Sequence, residues 1–249
     1  TGTALYAVFL EDGGTVTNRG GTISGAGGVL VQHAAGTVVN DATIAAASGS
    51  GTDAVNLAAG YANRVAVAPG AVFIGTVDGG NTIGAAASTL ELSGGTSAGV
   101  VGTITGLGSR YVNFADIVVD PGASWVLAGD SLAPGYTVTD GGTLTNTGVL
   151  RSSVTLSAGA SLTNTVTGTM SSTGATAPVY AAAGPAALVN AGQITSATSH
   201  YAVWLGDGGT VTNLASGVIA APGGIIVRDA GGAVANYGLV QGSSSYGVF

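Results

Sequence analysis

The 249 residues include no cysteine, so disulfides and thiolate metal sites are excluded from the outset. Lysine is missing too, and the five basic residues, Arg19, Arg64, Arg110, Arg151 and Arg228, are scattered singly along the chain. They form no cluster able to neutralise a row of phosphates, and the net charge is −7, so nucleic acid is not expected as a partner. Charged residues amount to 7%, where ordinary soluble domains carry roughly a quarter. Such poverty of charge suits a membrane protein, but no run of about 18 apolar residues escapes interruption by Gly, Ser, Thr, Asn or Asp. Transmembrane helices are therefore not expected. The N-terminal Thr1-Gly2-Thr3-Ala4 lacks the basic and apolar regions of an export signal, and any such signal is expected outside this sequence.

What is present is 45 glycines and a hydrophobic fraction of 46%, enough to build a core, with Ala, Thr, Val and Ser filling much of the rest. The strongest pattern is repetition. Tyr6-Ala-Val-Phe-Leu-Glu-Asp-Gly-Gly-Thr-Val-Thr-Asn18 returns as Tyr201-Ala-Val-Trp-Leu-Gly-Asp-Gly-Gly-Thr-Val-Thr-Asn213, identical at eleven of thirteen positions. A shorter period lies inside it. Asparagine closes a Val-Asn or Val-x-Asn step at Asn18, Asn40, Asn190, Asn213 and Asn236, and sequence neighbours in this set are 22 or 23 residues apart. That length, with Gly-rich punctuation and no helical stretch, predicts an all-β fold: a right-handed parallel β-helix, or β-solenoid, of roughly ten coils.

Local patterns agree. Alternation in Ala7-Val-Phe-Leu10 and Thr15-Val-Thr17 places Val8, Leu10 and Val16 on one face of a pleat and Phe9, Thr15 and Thr17 on the other. Gly13-Gly14, Gly20-Gly21 and Gly208-Gly209 fall where corners are needed. The recurring asparagines are expected at corners as well, stacked coil on coil so that each side-chain amide bonds to the next, a structural ladder and not a reactive site. Between residues 62 and 157 the period blurs, and these are expected to be less regular coils of one continuous domain spanning 1–249, since no linker-like or charge-rich stretch bounds them. Tyr246-Gly-Val-Phe249 repeats the opening of the motif, so the solenoid is expected to continue past the sequence.

Several phrases together resemble a known family. Gly14-Thr-Val-Thr-Asn18, Gly36-Thr-Val-Val-Asn40, Val67-Ala-Pro-Gly-Ala-Val-Phe-Ile-Gly-Thr-Val77, Ser88-Thr-Leu-Glu-Leu92, Asn113-Phe-Ala-Asp-Ile117, Val119-Asp-Pro-Gly-Ala-Ser-Trp-Val-Leu127 and Gly142-Thr-Leu-Thr-Asn146 are similar to the β-helical passengers of autotransporters and filamentous-haemagglutinin-like surface proteins. The resemblance implies export by a type V route, display at the bacterial cell surface, and roles in adhesion, aggregation or biofilm formation. Anchoring in the outer membrane would then come only from regions outside this segment, and the lack of cysteine suits passage through an oxidising periplasm.

Catalytic signatures are weak. Gly129-Asp130-Ser131-Leu132 spells the opening block of some lipolytic hydrolases, but neither His33 nor His200 stands in the Asp-x-x-His setting that would partner a serine nucleophile. A lyase would want clustered carboxylates for a cation beside a basic residue; Asp116 and Asp120 share a face, yet Arg110 lies on another segment. No enzyme activity, metal site or cofactor is expected. The sharper expectation is an exposed stripe. If Val8 and Leu10 point inward, then Phe9, Leu30, Trp204 and Ile226 point outward, with Tyr6 and Tyr201 at the adjoining corner. Such a row could stack on sugars or on another fibre. The expected function is a surface adhesin or self-associating stalk whose partner is another copy or a cell-surface glycan or protein. A glycan-active enzyme on the same scaffold and a passive spacer are the alternatives.

Overall fold

The computed structural model describes residues 6–49, 52–81, 86–95, 97, 99–129, 131–244 and 247–248. Among them there is no helix; the chain is all β, wound into parallel solenoid turns, about ten in number and about 23 residues each. It divides into two compact units, Thr1–Gly102 with Gly106–Val118, and Thr103–Thr105 with Val119–Phe249.

In the first unit each turn contributes strands to stacked parallel sheets. One sheet runs Tyr6–Leu10, Gly27–Val31, Val55–Leu57, Val77–Asp78 and Tyr111–Val112; a second begins Gly14–Asn18, Gly36–Asn40, Arg64–Val67 and Thr89–Leu92; a third is Thr22–Gly25, Thr43–Ala46 and Val72–Ile74. Strict register explains the sequence alternation. Val8 stacks on Val29, Val29 on Val55 and Val55 on Val77, all pointing inward, and in the next sheet Val16, Val38, Val65 and Leu90 do the same. From Val29 onward these side chains are fully buried, a dry column in which β-branched residues pack well on a pleated surface. Arg64 and Glu91 face outward on neighbouring turns and pair through two hydrogen bonds of 2.6 and 2.5 Å.

The second unit repeats the plan. Its inward columns are Val138, Val154, Val179, Val203 and Ile225; Trp125, Leu144, Leu162, Leu188 and Val211; and Leu132, Leu150, Met170, Ile194 and Ile219. Trp125, 2% exposed, fills the width of the core at its own level. The glycines of the long repeat do the work expected of corners: Gly13, Gly14, Gly208 and Gly209 all hold positive φ, from 74° to 124°, a region that side chains disfavour.

Asparagines line one inner corner of each unit. In the first, Asn18 Nδ2 donates to Asn40 Oδ1 at 2.9 Å; beyond Asn40 the register position passes to Val67. In the second, Asn146, Asn164, Asn190, Asn213 and Asn236 form an unbroken ladder, each Nδ2 donating to the next Oδ1 at 2.8–2.9 Å. The first four of these are fully buried. Each also bends its own corner, as when Asn146 Oδ1 accepts from Gly148 N and its Nδ2 donates to Gly148 O. Asn18, Asn40, Asn190, Asn213 and Asn236 were expected from the period, whereas Asn146 and Asn164 lie at sequence steps of 18 and 26 that break it. The loops vary in length while the rungs stay in register.

Candidate functional site

The second unit carries a shallow groove built around Tyr180 and Trp204. Strands Val179–Ala181 and Val203–Leu205 occupy adjacent turns, and their outer residues are fully buried, which leaves the central side chain of each pointing away from the core. Tyr180 and Trp204 are register partners. Their ring centroids lie 6.3 Å apart with planes tilted by 39°, an offset imposed by a rung spacing of about 4.8 Å. Tyr201 meets Trp204 edge-on at 5.8 Å, and His200 meets Tyr201 edge-on at 4.6 Å. The Arg228 guanidinium sits 5.5 Å from the centre of the indole, within cation–π range.

Local chemistry holds these rings in place. Ser196 Oγ accepts hydrogen bonds from the Thr198 and Ser199 amides, and the buried Ser199 hydroxyl donates to Tyr201 O at 2.7 Å, so the loop entering the strand has a defined path. A methyl group at Gly223 would come within 2.9 Å of the Tyr201 ring, and one at Gly206 within 2.9 Å of Trp204 Nε1. Both aromatic side chains lie where only glycine leaves room.

The cleft beside these rings, about 370 Å³, is lined by Ala175, Thr176, Ala177, Tyr180, Ser199, His200, Tyr201 and Trp204. Thr176 also borders an adjoining cleft of about 350 Å³ that contains Tyr136, Thr137, Arg151, Ser153, Thr155 and Ser172. The two clefts share Thr176, and Thr155 of the second is the register partner of Tyr180 of the first. The combined surface offers ring faces, hydroxyls and arginine, and no carboxylate lines it among the described residues.

The predicted stripe does not form one row. Phe9, 51% exposed, and Leu30 are register partners in the first unit, but the positions that follow them are Asn56, Asp78 and Val112. Trp204 lies in the strand Val203–Leu205, in a different sheet from Phe9 and Leu30, and Tyr201 in the loop before that strand; both are half-buried. Ile226, the register partner of Trp204, is 4% exposed and is not part of a surface, because the chain returns beside it with Val248 bridging Ile225. Tyr6 is half-buried over Gly27, whose hydrogen leaves space that a methyl group would deny, as Gly223 does for Tyr201. Burial, assisted by the charge of Asp53, raises the Tyr6 phenol above its usual pKa.

The sequence reading missed Tyr180 and Arg228. A signal for Tyr180 exists: Val179-Tyr-Ala181 matches Val203-Trp-Leu205 in flanking an aromatic residue with aliphatic ones. His33 lies in the first unit at a corner with φ of 59°, in a cleft with Gln32, Tyr61 and Asp78, and His200 lines the Trp204 cleft of the second unit. Asp130 lies outside the described residues, as do the side chain of Ser131 and residues Tyr246 and Phe249. No group of three His, Cys, Asp or Glu able to hold a metal gathers among the described residues.

No protein-family model, curated protein or solved structure matches the chain.

Proposed function

We propose that the chain is an adhesive segment of a bacterial surface protein, a passenger-like solenoid displayed outside the cell whose lateral face makes contact with other surfaces. The observation that carries the reading is the groove of Tyr180, Tyr201 and Trp204: three aromatic rings arranged by register and loop chemistry on the outside of a stiff scaffold, with no carboxylate among the described residues that line it. A core of stacked aliphatic columns and hydrogen-bonded asparagines resists local opening, which suits a stalk under mechanical load. The phrases that resemble autotransporter passengers support the same assignment and add the expected route of export. A glycan-active enzyme that works through a pair of carboxylates would need them in the groove, and none lines it among the described residues.

The test couples the chain to beads and counts their attachment to bacterial and host cell surfaces and to one another, beside beads carrying an unrelated acidic protein. Sedimentation velocity over a wide concentration range runs in parallel. Attachment or concentration-dependent association supports the adhesin; inert beads and a monomer at every concentration would leave only a passive spacer.

A further inference from the structure

We propose that the first unit carries a binding site of its own, for a neutral pyranose sugar, in the cleft between Gln32, Tyr61 and Asp78. The site shares no lining residue with the Tyr180–Trp204 groove and does not depend on it.

Three successive turns build this cleft, whose volume of about 500 Å³ lies within the range of ligand-binding sites. Val31 and Leu57, both buried, close it toward the core. Asn56 and Asp78 are register partners on adjacent turns, and each alternates with buried residues of its strand, so both side chains point outward. Gln32 and His33 come from the corner of the turn before, and Ala58, Ala59 and Tyr61 from the corner that follows Asn56. Buried amides hold these corners in place without a ligand. Asn63 Nδ2 donates to Ala58 O and to Gly79 O at 2.8 Å, while Asn81 accepts from Gly60 N at 2.7 Å and donates to Tyr61 O at 2.5 Å.

The lining selects the ligand. Asp78 Oδ1 accepts from Gly80 N at 2.7 Å and from Asn113 Nδ2 at 2.8 Å, which fixes the carboxylate, and Oδ2 has no hydrogen-bond partner among the described residues. Asn56 Nδ2 donates to Asp53 Oδ2 at 2.8 Å and keeps a second N–H and an acceptor oxygen. Gln32 and His33 add further donor and acceptor atoms, and Tyr61, 39% exposed, adds a ring. Donors and acceptors beside an aromatic ring match a sugar, whose hydroxyls both give and take hydrogen bonds and whose C–H face is apolar. Other classes fit worse. An anion meets the Asp78 carboxylate with no Arg or Lys in the lining. A metal ion finds no group of three His, Cys, Asp or Glu among the described residues. A primary ammonium meets a carboxylate already shared by two N–H donors, beside amide N–H groups that repel it. An apolar side chain would strip water from Asp78, Asn56 and Gln32 and give nothing in return.

Saturation-transfer NMR on the intact chain tests this with the methyl glycosides of glucose, galactose and mannose, beside galacturonate and glucosamine as charged probes. At least one neutral glycoside should bind, with a Kd on the order of 1 mM. Asp78→Asn keeps an Oδ1 for Gly80 and Asn113 but turns Oδ2, an acceptor, into a donor; it should weaken that binding about tenfold or more while the melting curve is unchanged. Tyr61→Ala, a change at an exposed residue that the fold does not need, should weaken it as well, and Trp204→Ala should leave it as it is. No binding of any neutral glycoside, binding indifferent to both Asp78→Asn and Tyr61→Ala, or tighter binding of galacturonate or glucosamine would overturn the inference. Binding lost in Trp204→Ala and kept in Asp78→Asn would place the sugar in the groove of the second unit, and would overturn it too.

Discussion

Replacing Asp140 with asparagine should stabilise the protein, and the reason lies in the corner it occupies. Asp140 ends the strand Thr137–Asp140, points inward with no exposed surface, and is the register partner of Leu156. Its Oδ1 accepts from Gly142 N at 2.9 Å, as the ladder asparagines accept from the amide two residues on. At those positions the other arm is an Nδ2 that donates to a carbonyl, whereas in Asp140 it is Oδ2, buried without a hydrogen-bond partner. Burial pushes the Asp140 carboxyl up to about 6 from an ordinary 3.8, with the Gly142 amide opposing. That rise of about two units costs the folded state about 3 kcal/mol when the group is ionised. The sign follows from proton counts: the folded chain holds the proton more tightly, so this group favours folding fully below pH 4 and loses that contribution as pH rises from about 4 to about 6. Asp140→Asn removes the charge and supplies the missing donor toward Gly142 O. At pH 7 it should gain about 2 kcal/mol and raise the thermal midpoint by roughly 4–8 °C, and between pH 4 and 6 its midpoint should vary less than that of the parent. Melting curves of both proteins by circular dichroism at pH 4, 5, 6 and 7 measure this. A variant no more stable than the parent at pH 7, or one with the same pH slope, would refute the reasoning.

Other substitutions sort the core from the surface. Asn190→Ala removes a ladder member that donates to Asn213 and accepts from Asn164, leaving buried partners unmade, and should cost about 2–4 kcal/mol by denaturant midpoint. Trp125→Ala empties the core and should cost about 3–5 kcal/mol, while Trp204→Ala changes stability by about 1 kcal/mol or less, a contrast that thermal melts resolve. Gly28→Ala would bring a methyl group against Ala54 O and the Ile44 side chain, both fully interior, and should destabilise by about 1–3 kcal/mol in the same melts.

The architecture was legible because the period is written in chemistry that the fold requires. A column such as Val16, Val38 and Val65 demands an apolar residue at each rung, and a tight corner demands Asn or Gly, so both recur in sequence. Loop length varies, because a loop can lengthen outward without shifting the rungs that flank it. That is why Asn146 and Asn164 escaped the 22-residue rule although they belong to the ladder by hydrogen bonding. Alternation also named Trp204 and Ile226 as outward; the two are register partners, yet Ile226 is buried, and alternation along one strand cannot report what neighbouring segments cover. The groove was half legible. Tyr201 and Trp204 stand in a visible repeat, whereas Tyr180 and Arg228 are 24 residues from Trp204 on either side and join it only through register and a cation over a ring. Asp140 carried a signal that went unread: Thr137-Val-Thr-Asp140 repeats Thr15-Val-Thr-Asn18 and Thr210-Val-Thr-Asn213 with aspartate at the asparagine position.

The most direct test of the account is the pull-off force between a surface coated with the chain and a cell-surface target, measured beside a Tyr180→Ala, Trp204→Ala double variant that keeps the parent's circular dichroism and thermal midpoint. The account predicts that adhesion is lost while the fold is unchanged; adhesion that survives in the folded double variant would contradict it.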